Sequence, residues 1–198
     1  MGNHKLKNRA LTLMELVITI SIISLLLFFF SIKYEKYKES NSLYEAKIKI
    51  SNILSKYRDL AYYNNTTYTI TFNLPSGTIT LSDSFNNYIE KTELPKKLKY
   101  QIITNEHNSN YFVTKITANG NLSDAFTIYI FDYNDLAQYR IAFYTFLQIK
   151  YLLINIYKNQ TVTEATFSNL LNYHNTADSQ NHVGWIKEWI LWKIIIFF

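Results

Sequence analysis

Apolar positions along this chain take three successive spacings, and each predicts a different element. From Leu11 to Ile32 the run is continuous, with Thr12, Glu15, Thr19, Ser21, Ser24 and Ser31 as its polar members. As an α-helix that stretch rises roughly 33 Å, enough to cross a hydrocarbon core of about 30 Å. A secretory signal would carry a shorter apolar region of about 7–15 residues and a small-x-small cleavage site. Here the run instead ends in Ser31-Ile32-Lys33-Tyr34-Glu35. A buried helix of a water-soluble domain would show a polar stripe, and after Thr19 only three serines interrupt the apolar surface. The spacing therefore predicts a transmembrane helix over 11–32.

Beyond it, Leu43, Ala46, Ile50, Ile53, Tyr57 and Leu60 recur at intervals of three and four, one face of a continuing amphipathic helix over 33–65. Glu35, Lys36, Lys38, Glu39, Glu45, Lys47, Lys49, Lys56, Arg58 and Asp59 fall mostly on the other faces and read as a solvated surface. Asn64-Asn65 supplies the stop, because asparagine tolerates the left-handed conformation at a helix end.

The period then drops to two. Tyr68–Asn73 and Thr78–Ser82 alternate around the turn Leu74-Pro75-Ser76-Gly77, which predicts a β-hairpin. After Leu94-Pro95, strands are predicted over Leu98–Thr104 and Tyr111–Ile116, followed by a turn at Asn119-Gly120-Asn121. Phe126–Phe131 and Gln138–Tyr144 flank a break at residues 132–135 and form a second hairpin; Lys150–Tyr157 is a further strand candidate. One long helix followed by antiparallel strands is an α+β order, with the helix burying its stripe against a β-rich head over 66–158. The segment 159–198 has no assigned structure. In it Trp185, Trp189 and Trp192 stand at helical spacing ahead of an apolar end. From Trp185 to Phe198, 14 residues span roughly 21 Å as a helix, short for a second crossing. An interfacial helix is one reading of that end, and a segment packed on the head or on a neighbouring subunit is the other.

Charge sharpens the picture at the N-terminus. Lys5, Lys7 and Arg9 precede the span, whereas Lys33, Glu35, Lys36, Lys38 and Glu39 beyond it nearly cancel. The positive-inside bias then places the N-terminus in the cytoplasm and the rest outside. Of 20 Lys and Arg, three lie in that basic stretch, so 17 remain against 15 Asp and Glu. This weakly basic balance does not support strong electrostatic nucleic-acid binding. Glu15 is the one charge within the apolar run, and a charged side chain at the centre of a bilayer costs about 2.5–3.5 kcal/mol. It therefore calls for a partner or a place near an interface.

Arg9-Ala10-Leu11-Thr12-Leu13-Met14-Glu15, running into the apolar span, resembles the class III leader of type IV prepilins and of the pseudopilins of type II secretion and DNA-uptake (competence) systems. The resemblance implies a cleaved basic leader over 1–10, with Ala10 at the cleaved position in place of the commoner Gly. Leu11 becomes the new, N-methylated terminus, cut by a membrane prepilin peptidase. Thr12, Leu13 and Met14 fill the motif, and Glu15 is its acid, pairing in filament assembly with the terminal amine of a neighbouring subunit. It further implies a pilin-like fold and, as partners, the bilayer, other pilin or pseudopilin subunits, an assembly platform protein and a cytoplasmic ATPase. DNA or a secreted substrate would be engaged at the level of the filament. Residues 94–144 are similar in spacing to minor subunits of the type II secretion H kind and to Gram-positive competence pilins. The family often has Gly in the hairpin turn where this chain has Phe146-Leu147-Gln148.

Candidate chemistry is sparse. There is no cysteine, so thiol catalysis, disulfides and Cys-based metal sites are excluded. His4, His107, His174 and His182 form no HExxH or i,i+4 pair, and Gly2, Gly77, Gly120 and Gly184 build no phosphate loop. Asp132 and Asp135 suggest either a cation site or plain turn chemistry. The Tyr and Phe side chains of the second hairpin suggest either base stacking or a packed sheet face. No cofactor and no enzymatic activity are expected. The sequence thus reads as a single-pass membrane protein that moves into a cell-envelope or extracellular filament, a minor pilin or pseudopilin. A non-polymerising, membrane-anchored extracellular binding protein is the alternative.

Overall fold

The computed structural model describes residues 13–104, 107–145 and 153–188, and the chain divides into two compact units, 1–40 and 41–198. Helix α1 runs Leu13–Asn64 and stops where the sequence places the asparagine pair, with Asn65 left-handed at φ 49°. Leu11 and Thr12, the first two residues of the expected span, lie outside the described residues.

Ten strands follow among the described residues: β1 Tyr68–Asn73, β2 Thr78–Ser82, β3 Tyr88–Glu93, β4 Lys99–Thr104, β5 His107–Ser109, β6 Tyr111–Ile116, β7 Phe126–Phe131, β8 Ala137–Tyr144, β9 Leu153–Asn159 and β10 Trp185–Glu188. Two short helices, α2 Leu170–His174 and α3 Ala177–Gln180, precede β10. Every strand pair is antiparallel, in a four-stranded sheet ordered β3-β2-β1-β6 and a six-stranded sheet ordered β10-β9-β8-β7-β4-β5. The α+β class expected from the sequence is present. The hairpin β1–β2 closes through Gly77 at φ 62°, and Gly120 at φ 77° occupies the turn after β6.

The core of unit 41–198 forms where the helix stripe meets both sheets. Leu43, Ala46, Ile50, Ile53, Leu54, Tyr57 and Ala61 are buried, and Leu60 packs half-buried against them. Four phenylalanines bind the sheets together: Phe126 stacks on Phe143 at 4.6 Å and meets Phe112 at 4.9 Å and Phe72 at 5.5 Å. Such aromatic pairs add about 0.5–1.5 kcal/mol each beyond the area they bury.

The reading of Lys47 as part of a solvated face is corrected. Its side chain is only 10% exposed, its Nζ donates to Glu188 Oε2 at 2.7 Å, and it lies over the rings of Tyr44 and Tyr139 at 4.5 and 5.0 Å. Helical spacing puts Lys47 beside Ala46 and Ile50 on the packed face, and the aromatic walls accept its stem and head.

Strand β7 is buried at every position, although an antiparallel sheet with one wet face would alternate. Phe126, Ile128 and Ile130 join the core under the helix, while Tyr129 and Phe131 join a second cluster with Ile103, Ala137, Tyr157, Ala165, Leu170, Tyr173 and Trp185. Residues 160–184 form that cover, and Trp185 of β10 packs under it. Asn159 shapes its start, accepting from Val162 N at 2.8 Å and donating to the carbonyls of Ala137 and Val162. Ala137 N then bonds Ala165 O at 2.9 Å, and Phe167 N bonds Asp135 O at 2.9 Å. Trp185, read as part of a helically spaced series, instead lies on β10 and donates Nε1–H to Tyr173 Oη at 2.7 Å. It packs on the head, one of the two alternatives; Trp189, Trp192 and the apolar end lie outside the described residues, as does the 146–148 turn.

Candidate anchoring and assembly site

Within unit 1–40, the described part of the apolar run is helical and exposed at every position from Leu13 to Ile32. Among the described residues α1 is the one helix long and apolar enough to cross a membrane. Three of its hydroxyls bond its own backbone: Thr19 Oγ1 donates to Glu15 O at 2.7 Å, Ser21 Oγ to Val17 O and Ser31 Oγ to Phe28 O, both at 2.8 Å. Such bonds let a helix carry Ser and Thr in lipid without leaving a polar group unmet. The surface that remains is Leu, Ile, Val and Phe. In water it would forfeit about 25 cal/mol for each Å² left uncovered, so lipid or other apolar helices are its complement.

Leu13, Met14 and Glu15 occupy the first turn of α1. A carboxylate there meets the positive end of the helix dipole, worth about 0.3–1 kcal/mol at an exposed site. Leu13 is 83% and Met14 72% exposed. Ala10, Leu11 and Thr12, the expected cleavage, methylation and motif positions, lie outside the described residues.

The head shows what the other candidates do. Asp132 Oδ1 accepts from the backbone N–H of Asn134 and Leu136, both at 2.9 Å, and its Oδ2 accepts from Gln138 Nε2 at 2.8 Å. Asp135 is left-handed at φ 63° and pairs with Lys99 at 2.7 Å. Both acids are turn-builders with their oxygens engaged, not a cation site. Phe126, Tyr129, Phe131, Tyr139 and Phe143 are buried, so of the two readings of the second hairpin these rings follow the packed sheet face.

Edge strand β3, absent from the sequence reading, is tied to α1 through Glu90. Its Oε2 accepts from Lys56 Nζ at 2.6 Å and Tyr57 Oη at 2.7 Å. Those bonds, from Lys56 first and then Tyr57, hold the Glu90 carboxyl below its ordinary range. Burial, then the Glu90 carboxylate, raises the Tyr57 phenol. The only sequence signal for β3 is the short alternation in Ile89-Glu90-Lys91-Thr92, where charged residues mask the strand. Among the described residues no three His, Asp or Glu side chains gather as a metal site. A cleft of about 170 Å³ in the cover is lined by Thr161, Thr163, Glu164, Tyr173, Asp178 and Gly184, with no histidine on its wall.

No family model matches this chain, and no curated protein matches it. Among solved structures it is similar to the minor pseudopilin EpsH from the type 2 secretion system of Vibrio cholerae, at 14% identity and a TM-score of 0.41. The match covers 56% of this chain and 95% of that one.

Proposed function

We propose that this chain is a subunit of a type IV pilus-like filament, a minor pilin or pseudopilin of a DNA-uptake or type II secretion system, held in the membrane before assembly. The observation that carries the reading is a helix whose first 20 described residues expose an apolar surface, with Glu15 as the sole charge between Leu13 and Ile32. The leader motif at Ala10–Glu15 agrees with it.

In this reading a prepilin peptidase cuts between Ala10 and Leu11 on the cytoplasmic side, and the Leu11 amine is methylated. Glu15 then pairs with the amine of an adjoining subunit as the helix leaves lipid for a bundle of like helices. Two charges that would each be costly in a low-dielectric bundle offset one another there, and removing one partner of a buried pair costs about 3–5 kcal/mol. A platform protein and a cytoplasmic ATPase would drive that transfer. The head would face the outside and carry out no reaction itself.

Glu15→Val tests the assembly role. The variant should insert in the membrane as the wild type does and be missing from filaments sheared off the cell. Normal recovery in filaments would refute the role of Glu15. Recovery of neither form, with the wild type solitary in lipid, would favour the anchored binding protein. Mass spectrometry of the membrane-extracted chain should find a methylated Leu11 start. An intact Met1 start in peptidase-competent cells would refute processing.

A further inference from the structure

The histidines form no metal motif in the sequence, yet the fold brings two of them to one buried cation. Arg140 sits on β8 between Tyr139 and Ile141, 6% exposed, facing the cover of residues 160–184. Its Nη1 donates to Ser179 O at 2.6 Å and to Ser179 Oγ at 3.2 Å, and it lies 3.3 Å from His182 Nδ1. The guanidinium is flanked in the same row by the rings of Tyr129 and Tyr157, at 5.8 and 5.9 Å. Its Nε is buried with no hydrogen-bond partner. No carboxylate among the described residues hydrogen-bonds Arg140 or either histidine. This cation is held by a carbonyl, a hydroxyl, an imidazole and aromatic faces.

That arrangement fixes the protonation of His182. Arg140 has only N–H groups to offer, so the facing Nδ1 must present a lone pair. The ring also stacks on Tyr157, centroids 4.1 Å apart. Nearby, Tyr129 Oη and His174 Nδ1 are 2.9 Å apart, and the two rings meet edge-on.

We propose that residues 160–184 are an acid-released flap over the outer face of the six-stranded sheet, latched by neutral His182 on Arg140, with β10 staying paired to β9. Adding a proton to Nδ1 sets N–H against N–H at 3.3 Å and places a second positive charge beside a guanidinium that has no counter-ion among the described residues. The flap then lifts, baring Tyr129, Phe131 and Tyr157 as an aromatic floor.

The surrounding charges act in the same direction. Burial, then Arg140, lowers His174 from 6.5 to about 4. Burial, then Arg140 and Lys187 of β10, lowers His182 as well. The acids nearby, Asp178 of α3 and Glu164 of the preceding loop, bear on Tyr173 of α2. Burial raises the phenols of Tyr129 and Tyr157, which stay protonated at acid pH. Histidines lowered on folding hold the latch fully above their ordinary value of 6.5, and they weaken it as pH falls from there towards about 4.

The test uses the full chain in detergent micelles, with Trp189→Phe and Trp192→Phe so that Trp185 alone reports. Acrylamide quenching of Trp185 should rise several-fold as pH drops from about 7.5 to about 4.5, while the far-UV signal of the strands is unchanged. His182→Asn keeps an acceptor at a left-handed position that asparagine tolerates (φ 58°), and His182→Phe keeps the stack on Tyr157. Either variant should lose the transition or move it down towards the range of His174. A flat wild-type profile, an unchanged midpoint in both variants, or loss of the far-UV signal together with the quenching change would each overturn the latch. The outcome does not depend on filament assembly, so it stands or falls apart from the function proposed above.

Discussion

Removing Glu188 should cost the head more than removing Lys47, although the two share one ion pair. Lys47 is 10% exposed at its side chain and Glu188 is 29% exposed, so the acid can reach water and the base cannot. In Glu188→Ala the ammonium stays between Tyr44 and Tyr139 with its anion gone. A fully buried orphan of this kind costs about 3–5 kcal/mol and an exposed one about 0–1 kcal/mol. Partial exposure on the acid side and the two ring faces place this case at about 2 kcal/mol. Lys47→Met replaces the stem with an apolar chain of similar length and frees Glu188 to turn outward, for a cost of about 1 kcal/mol or less. Glu188→Ala introduced on top of Lys47→Met should then add almost nothing, leaving a coupling of at least about 1 kcal/mol. Urea unfolding of the full chain in detergent, followed by the far-UV signal, measures all four members of the cycle. A larger loss for Lys47→Met than for Glu188→Ala, or additive losses, would refute the claim that burial of the base governs this pair.

Two further substitutions test packing and backbone, read as the urea midpoint of the same chain. Phe126→Ala removes the ring that meets Phe143, Phe112 and Phe72 at once, and should cost about 3–5 kcal/mol; a loss under about 1 kcal/mol would mean that the two sheets are not joined there. Gly184→Ala should cost about 1–3 kcal/mol, because the position has φ +76° and a Cβ would stand 2.7 Å from Val162 Cγ2 and 2.8 Å from Thr161 Oγ1; a neutral result would show that the loop before β10 moves aside freely.

The periodic parts of the chain were legible in the sequence for a simple reason: each buries one face on one partner. The stripe Leu43 to Leu60, the hairpin β1–β2 and the strands β4, β6, β7 and β8 all follow from spacing and turn residues. The candidate strand at Lys150–Tyr157 is present from Leu153 as β9, which runs on to Asn159; Lys150, Tyr151 and Leu152 lie outside the described residues. What escaped depends on tertiary partners. The charges of β3 face solvent or the helix, so its apolar signal is thin. Segment 160–188 is rich in Asn, Thr and Ser and reads as loop, yet a few anchors, Ala165, Leu170, Tyr173 and Trp185, hold it on the sheet. By identity Lys47 reads as solvated, whereas its place on the helix beside Ala46 and Ile50 buries it. Arg140 carried the one available hint: a cation amid Tyr139, Ile141, Ala142 and Phe143, in a strand with no acid to pair it.

A sheet roofed by its own chain has a consequence for what neighbours encounter. On that side of the head, outsiders meet the polar loops of 160–188 rather than the strands. Exposed positions there, such as Gln160, Thr163, Glu164, Asn172 and Gln180, stand clear of both hydrophobic clusters. Substitution at these positions alters the displayed coat while leaving the architecture beneath intact.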